Sequence, residues 1–227
     1  HDFEVDGVYY NITDEVNKTV AVTYKGTSFN YSSYPSSVVI PETVVYNDVT
    51  YNVTSIGSQA FRNCSKLTSI EIPNTISSIE SSAFEGCNKL TSIEIPSSVT
   101  SIGFMAFAGC ESLTSILIPD GVITLGTDIC SCCSSLRFIH IPKSVINIGE
   151  AYHEDDPFLT DCDALERIYI PRGQKERFLN MRALAGLSHL IQEEGITTYS
   201  ANKTCRFCRT TNIPDEASFC PNCGTRL

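Results

Sequence analysis

The sequence has no tryptophan, two methionines and four histidines, His1, His140, His153 and His189. So few imidazoles leave histidine-based catalysis few candidates. Basic residues are also scarce: 16 Lys and Arg stand against 26 Asp and Glu, a formal net charge of −10. A general binder of nucleic acid or anionic membrane needs the opposite balance for its phosphate contacts. No run of 18 apolar residues occurs, so nothing reads as a membrane-spanning helix. A glycine-rich phosphate loop, an H-E-x-x-H helix and a serine–histidine spacing are missing as well, so no enzyme class is supported. The chain opens His1-Asp2-Phe3-Glu4 without Met or an apolar leader. This reads as a trimmed or processed chain and leaves export open.

What the sequence does contain is a repeat. Cys64, Cys87, Cys110 and Cys133 are 23 residues apart, and Cys162 follows after 29. Leu67, Leu90, Leu113, Leu136 and Leu165 keep step, as do Ile70, Ile93, Ile116, Ile139 and Ile168. Ile-Pro pairs at 72–73, 95–96, 118–119, 141–142 and 170–171 close each strand, and Ile40-Pro41 opens the series. The consensus is C-x-x-L-x-x-I-x-I-P-x-x-V-x-x-I-G-x-x-A-F-x-G. Leu67, Ile70 and Ile72 predict a short buried strand, with Ser69 and Glu71 pointing outward. Proline cannot donate to the next rung and ends the strand. The second apolar cluster, as in Val99 and Ile102, turns the coil back, and Gly57, Gly103, Gly126 and Gly149 are expected to relieve a tight bend. Ala-Phe pairs at 60–61, 83–84 and 106–107 plug the far side. One unit cannot bury these residues, but stacking can, at about 4.8 Å per coil. The expected fold is a leucine-rich-repeat solenoid with a parallel sheet on one face, about 25–30 Å long.

The consensus resembles the BspA-type leucine-rich repeat of bacterial surface proteins. The resemblance covers about residues 36–171, and the opening F-E-V-D-G-V-Y-Y-N-I (3–12) is similar to the segment that precedes such repeats. It implies a cell-surface or secreted protein that contacts host or microbial proteins.

The ends read as caps. Residues 1–35 suggest a β cap: a hairpin turning at Asp6-Gly7, then a strand at Thr19 to Tyr24. The first coil carries an insertion, Val44 to Val53, turning at Asn47-Asp48. Residues 172–195 lose the repeat, and their apolar spacing (Phe178, Leu179, Met181, Leu184, Leu187, Leu190, Ile191) suits one or two capping helices. Residues 196–204 read as a polar linker.

The eleven cysteines divide into two groups. Successive ladder cysteines fall within disulfide reach by Cα distance. Their side chains run parallel into the coil, which favours buried thiols packing as small hydrophobes. Cys130, in the place of the Ala-Phe phenylalanine, and Cys132 fall outside the ladder; a local pair or a free thiol is open there. In residues 205–227, Cys205-x-x-Cys208 and Cys220-x-x-Cys223 have the spacing of two zinc knuckles. The tail resembles the short zinc ribbon of many bacterial proteins, but its first knuckle, Cys205-Arg206-Phe207-Cys208-Arg209, lacks the usual proline and glycine. Four thiolates would hold a structural Zn2+ in a closed site; a disulfide-paired or unstructured tail is the alternative.

The outward strand positions change character along the stack. One column is Glu71, Glu94, Leu117, His140, Tyr169; its neighbour is Ser69, Ser92, Ser115, Phe138, Arg167. Leu117, Phe138, His140, Arg167 and Tyr169 are expected to form an exposed patch of interface-forming types, against the alternative of surface drift. The insertion Ala151 to Asp161 clusters His153, Glu154, Asp155, Asp156 and Asp161; a solvated acidic loop is favoured over calcium binding. Six N-x-S/T sequons (Asn11, Asn17, Asn30, Asn52, Asn63, Asn202) matter only in a eukaryotic secretory route. Together these features predict a non-enzymatic protein-binding or adhesion scaffold at the cell surface or secreted. An intracellular scaffold is the alternative, since zinc thiolates and unpaired thiols persist in reducing surroundings.

Overall fold

Each 23-residue unit closes one turn of a coil with three sides, and hydrogen bonds join successive coils along two of them throughout and along the third except at the third coil. The computed structural model describes residues 1–25, 34–149 and 159–194. The linker and the four tail cysteines lie outside the described residues, as do residues 150–158 of the acidic insertion.

The chain begins with β1 (Phe3–Val5), β2 (Val8–Asp14) and β3 (Thr19–Thr23), an antiparallel ribbon. Asp6 and Gly7 take φ of 50° and 79° at the first hairpin, as a primed two-residue turn requires. Then follow β4 (Ser37–Val39), β5 (Thr43–Tyr46) and β6 (Val49–Ile56). Strands β5 and β6 form the hairpin of the first-coil insertion, with Asn47 and Asp48 at φ 50° and 61°. Strand β3 pairs parallel with β6, so the ribbon joins the first coil edge to edge.

The stack continues with β7 (Ser69–Glu71), β8 (Ser78–Ile79), β9 (Ser101–Ile102), β10 (Ser115–Leu117), β11 (Thr124–Leu125), β12 (Phe138–His140), β13 (Asn147–Ile148) and β14 (Arg167–Ile170). The expected single parallel face is in fact two. On the I-x-I-P side, β4 pairs β7, and β10, β12 and β14 pair in parallel register. Residues 92–94 of the third coil carry the same pattern but form no strand, which splits this side. The larger sheet lies on the V-x-x-I-G side, where β6, β8, β9, β11 and β13 continue the N-terminal ribbon and, with β5 paired to β6, make nine strands among the described residues. The cluster expected only to turn the chain therefore builds the longer ladder.

The glycines explain that ladder, for a reason other than a bend. None of Gly57, Gly103, Gly126 and Gly149 has positive φ. Gly57, Gly103 and Gly126 are needed for close approach: a Cβ on Gly103 would sit 2.5 Å from Ser81 N, and one on Gly126 would sit 2.3 Å from Phe104 N. Backbone cannot give way as a side chain can. Gly126→Ala is expected to cost about 1–3 kcal/mol, read as a lowered urea midpoint at unchanged slope. Positive φ belongs instead to two other columns, Gln59, Ser82, Met105 and Asp128, and Asn63, Gly86, Gly109, Cys132 and Asp161.

The third side is built from turns rather than strands. The N–H groups of Phe61, Phe84 and Phe107 donate to the carbonyls of Ala83, Ala106 and Ile129, each at 2.7 Å. Beneath these rungs the rings stack: Phe61 on Phe84 at 5.2 Å and Phe84 on Phe107 at 5.5 Å, with Tyr34 at the top. Each ladder thiol donates to a carbonyl of the coil before it: Cys87 to Phe61, Cys110 to Phe84 and Cys133 to Phe107, at 3.1–3.3 Å. No disulfide joins any two of the seven described cysteines. Cys64, Cys87, Cys110 and Cys133 are buried as expected and Cys162 is half-buried, each with a weak hydrogen bond that a plain hydrophobe would lack.

The C-terminal cap corrects the expectation of helices alone. A short helix α1 (Lys175–Leu179) and a 3-10 turn (Arg182–Leu187) bury Phe178 and Leu184. The chain then returns as β15 (Ile191–Glu193), parallel to β14. Ile191, taken as a helix residue, pairs with Ile168 and gives the sheet one further strand. No described helix is long and apolar enough to cross a membrane.

Candidate functional site

The late-coil end of the I-x-I-P side is where the outward residues become large. Parallel pairing places Ser115, Phe138 and Arg167 in one row and Leu117, His140 and Tyr169 in the next, which Gln192 of β15 extends. The five residues singled out from the sequence thus share one surface. They are not equally exposed. Leu117 is 37% exposed, Arg167 is exposed and Tyr169 is half-buried, whereas Phe138 and His140 retain only 7% and 6%. The expectation of five exposed side chains is corrected for these two.

The reason is crowding by neighbours. His140 stacks against Tyr169 at 4.7 Å, and Phe138 lies 6.1 Å from the same ring. The Arg137 guanidinium covers Phe138 at 5.0 Å. Arg137 is itself held by Glu166, with Nη2 at 2.6 Å and Nε at 2.7 Å from Oε1. Arg167 donates from Nε to Gln192 Oε1 at 3.2 Å. Glu194 Oε1 stands 3.8 Å from His140 Nδ1, while His140 Nε2 is buried without a hydrogen-bond partner.

The surface that results is a rigid aromatic centre with a charged rim. Arg137, Glu166, Gln192 and Glu194 belong to that rim and were not among the sequence candidates. Arg137 and Glu166 each precede an outward strand position, so alternation passed over them. Gln192 and Glu194 were assigned to a helix; the alternation Ile191-x-Glu193 beside an I-x-I repeat was the available signal.

A groove of about 380 Å3 at the opposite end is lined by Val5, Asp6, Tyr10, Tyr34 and Val38; Tyr10 Oη is buried there without a partner. Among the described residues no three His, Cys, Asp or Glu side chains converge to hold a metal ion. Burial pushes the Cys64 thiol up to about 11 and the Cys162 thiol up to about 12, which leaves these sulfurs protonated and inert as nucleophiles.

The comparisons agree with this architecture. The structure of a leucine-rich repeat protein from Bacteroides ovatus is 32% identical, with a TM-score of 0.54, over 76% of this chain and 48% of that one. The chain therefore spans about half the length of that relative. The T. pallidum leucine-rich repeat protein is 26% identical, TM-score 0.59, over 74% of this chain and 71% of its own. The pneumococcal vaccine antigen PcpA is 20% identical, TM-score 0.56, over 76% and 50% of the two chains, and shares the fold. No curated protein matches the sequence. The family model for the BspA type leucine rich repeat region matches residues 25–160 in six copies, and the chain belongs to that family.

Proposed function

We propose that the chain is a non-enzymatic protein-binding scaffold whose contact surface is the late-coil end of the I-x-I-P side. The observation that carries this is the pairing of exposed Leu117 and Arg167 and half-buried Tyr169 with the buried rings of His140 and Phe138. Parallel strands hold the rings in place, so an aromatic anchor is presented at little ordering cost. Family membership supports a cell-surface or secreted setting and a host or microbial surface protein as partner. The zinc ribbon belongs to this proposal too: the donor set of Cys205, Cys208, Cys220 and Cys223 suits structural Zn2+, held as four thiolates with no open position for catalysis.

The test begins with capture of partners from an array of extracellular-matrix and cell-surface proteins. For the partner found, Arg167→Ala with Tyr169→Ala should weaken binding by about 30-fold or more, while the thermal midpoint stays within a few degrees. Phe138 is left intact because its truncation would report on folding. Undiminished binding by the double variant would remove this surface from the proposal. An intracellular scaffold is the second reading, favoured by the lack of any disulfide among the described cysteines.

A further inference from the structure

The fourth coil departs from the repeat in a way that concerns its sulfurs. Where earlier coils carry Ala60-Phe61, Ala83-Phe84 and Ala106-Phe107, it carries Ile129-Cys130. The larger Ile129 offsets the lost ring, and the phenylalanine stack ends at Phe107. The ladder cysteine, Cys133, follows three residues after Cys130, and both side chains are fully buried.

The turn brings the two together. Cys133 N–H donates to Cys130 O at 3.2 Å, as Cys110 N–H does to Phe107 O one coil earlier. The ends of such a turn lie within about 7 Å by Cα, matching the roughly 4.4–6.8 Å span of disulfides. The Cys130 side chain meets that of Cys133, and the Cys133 thiol donates to Phe107 O at 3.2 Å. Other ladder sulfurs point at backbone: Cys87 at Phe61 O, Cys110 at Phe84 O and Cys162 at Cys130 O. Cys132, between the pair, faces outward, 3.8 Å from Asp161 Oδ2.

We propose that Cys130 and Cys133 are a latent disulfide: a dithiol in reducing surroundings that closes to a cystine on meeting a small-molecule disulfide or a diazene. Two S–H bonds break and one S–S bond forms. The two electrons and two protons pass to the oxidant, reducing a disulfide to two thiols or a diazene to a hydrazine. Because both sulfurs are buried, closure follows local opening of the turn and is slower than modification of exposed Cys132. It also removes the Cys133 S–H that caps Phe107 O, so one bond between the third and fourth coils is exchanged for a covalent lock within the fourth. The state of this pair would record whether the protein has met an oxidising compartment.

The experiment uses the full chain and diamide as oxidant. Remaining thiols are alkylated, and the digest is sequenced by fragment mass spectrometry. Expected is a bond between Cys130 and Cys133, formed after Cys132 has reacted and reversed by a dithiol reductant. Cys132→Ser should retain the bond, and Cys133→Ala should leave Cys130 alkylated. Alkylation of both Cys130 and Cys133 after the oxidant has consumed Cys132, or a bond from Cys132 to any of its neighbours, would overturn the proposal.

Discussion

Phe84→Ala is expected to lower stability by about 3–5 kcal/mol. The ring is fully buried and stacked on both sides, by Phe61 at 5.2 Å and Phe107 at 5.5 Å. Its removal leaves a void bounded by rings above and below. The void cannot close by sliding coils together, because the Phe61–Ala83 and Phe84–Ala106 backbone bonds fix their spacing. Poor collapse puts the cost at the upper end of large-to-small substitutions. A solenoid adds another consequence. Each coil is stabilised by its neighbours, so the loss falls on two interfaces at once. Urea unfolding of the variant should lose two-state character, with the N-terminal ribbon and the late coils melting separately. Phe84→Leu should restore most of the loss. A change below about 1 kcal/mol for the alanine variant would show that the ring stack is not the spine of the fold.

Metal removal is the second large effect. If residues 205–227 fold around Zn2+, the ion supplies nearly all of their stability, about 10–16 kcal/mol of apparent binding free energy at neutral pH. A segment this short has little core to hold it without the ion. A strong chelator should make the tail sensitive to limited proteolysis while residues 1–194 keep their melting behaviour. Metal analysis of the untreated chain should find one zinc per molecule. Cys220→Ser should abolish the stoichiometric metal and reproduce the chelated state. A tail whose cleavage is the same with and without chelator would contradict the zinc proposal.

Most of the repeat was legible because a solenoid writes each contact at a fixed sequence interval. Leu67, Leu90 and Leu113 are fully buried for one shared reason, and the period exposes it. Hairpin chemistry was legible at Asp6-Gly7 and Asn47-Asp48, where local backbone geometry dictates residue type. Close approach was harder to read. The glycines of the V-x-x-I-G column looked like bend residues, since a sequence cannot tell positive φ from a neighbouring backbone 2.3 Å away. Strand β15 was missed because three residues, Ile191 to Glu193, carry no period of their own and take their conformation from β14. For the candidate site, alternation assigned Leu117, His140 and Tyr169 to one column and Phe138 and Arg167 to another, as the register has it. It could not say which of them water reaches.

By itself, then, the sequence determined the coil: its length, its inward residues, its buried thiols and the residues that line its outer face. Those are consequences of covalent spacing and side-chain chemistry, repeated every 23 residues. The tertiary structure decided how the coils meet. It put the longer ladder on the V-x-x-I-G side, broke the strand pairing at residues 92–94, returned β15 to the sheet and folded Arg137 over Phe138. Exposure depends on what neighbouring coils place around a residue, and that is a property of the stack rather than of any one repeat.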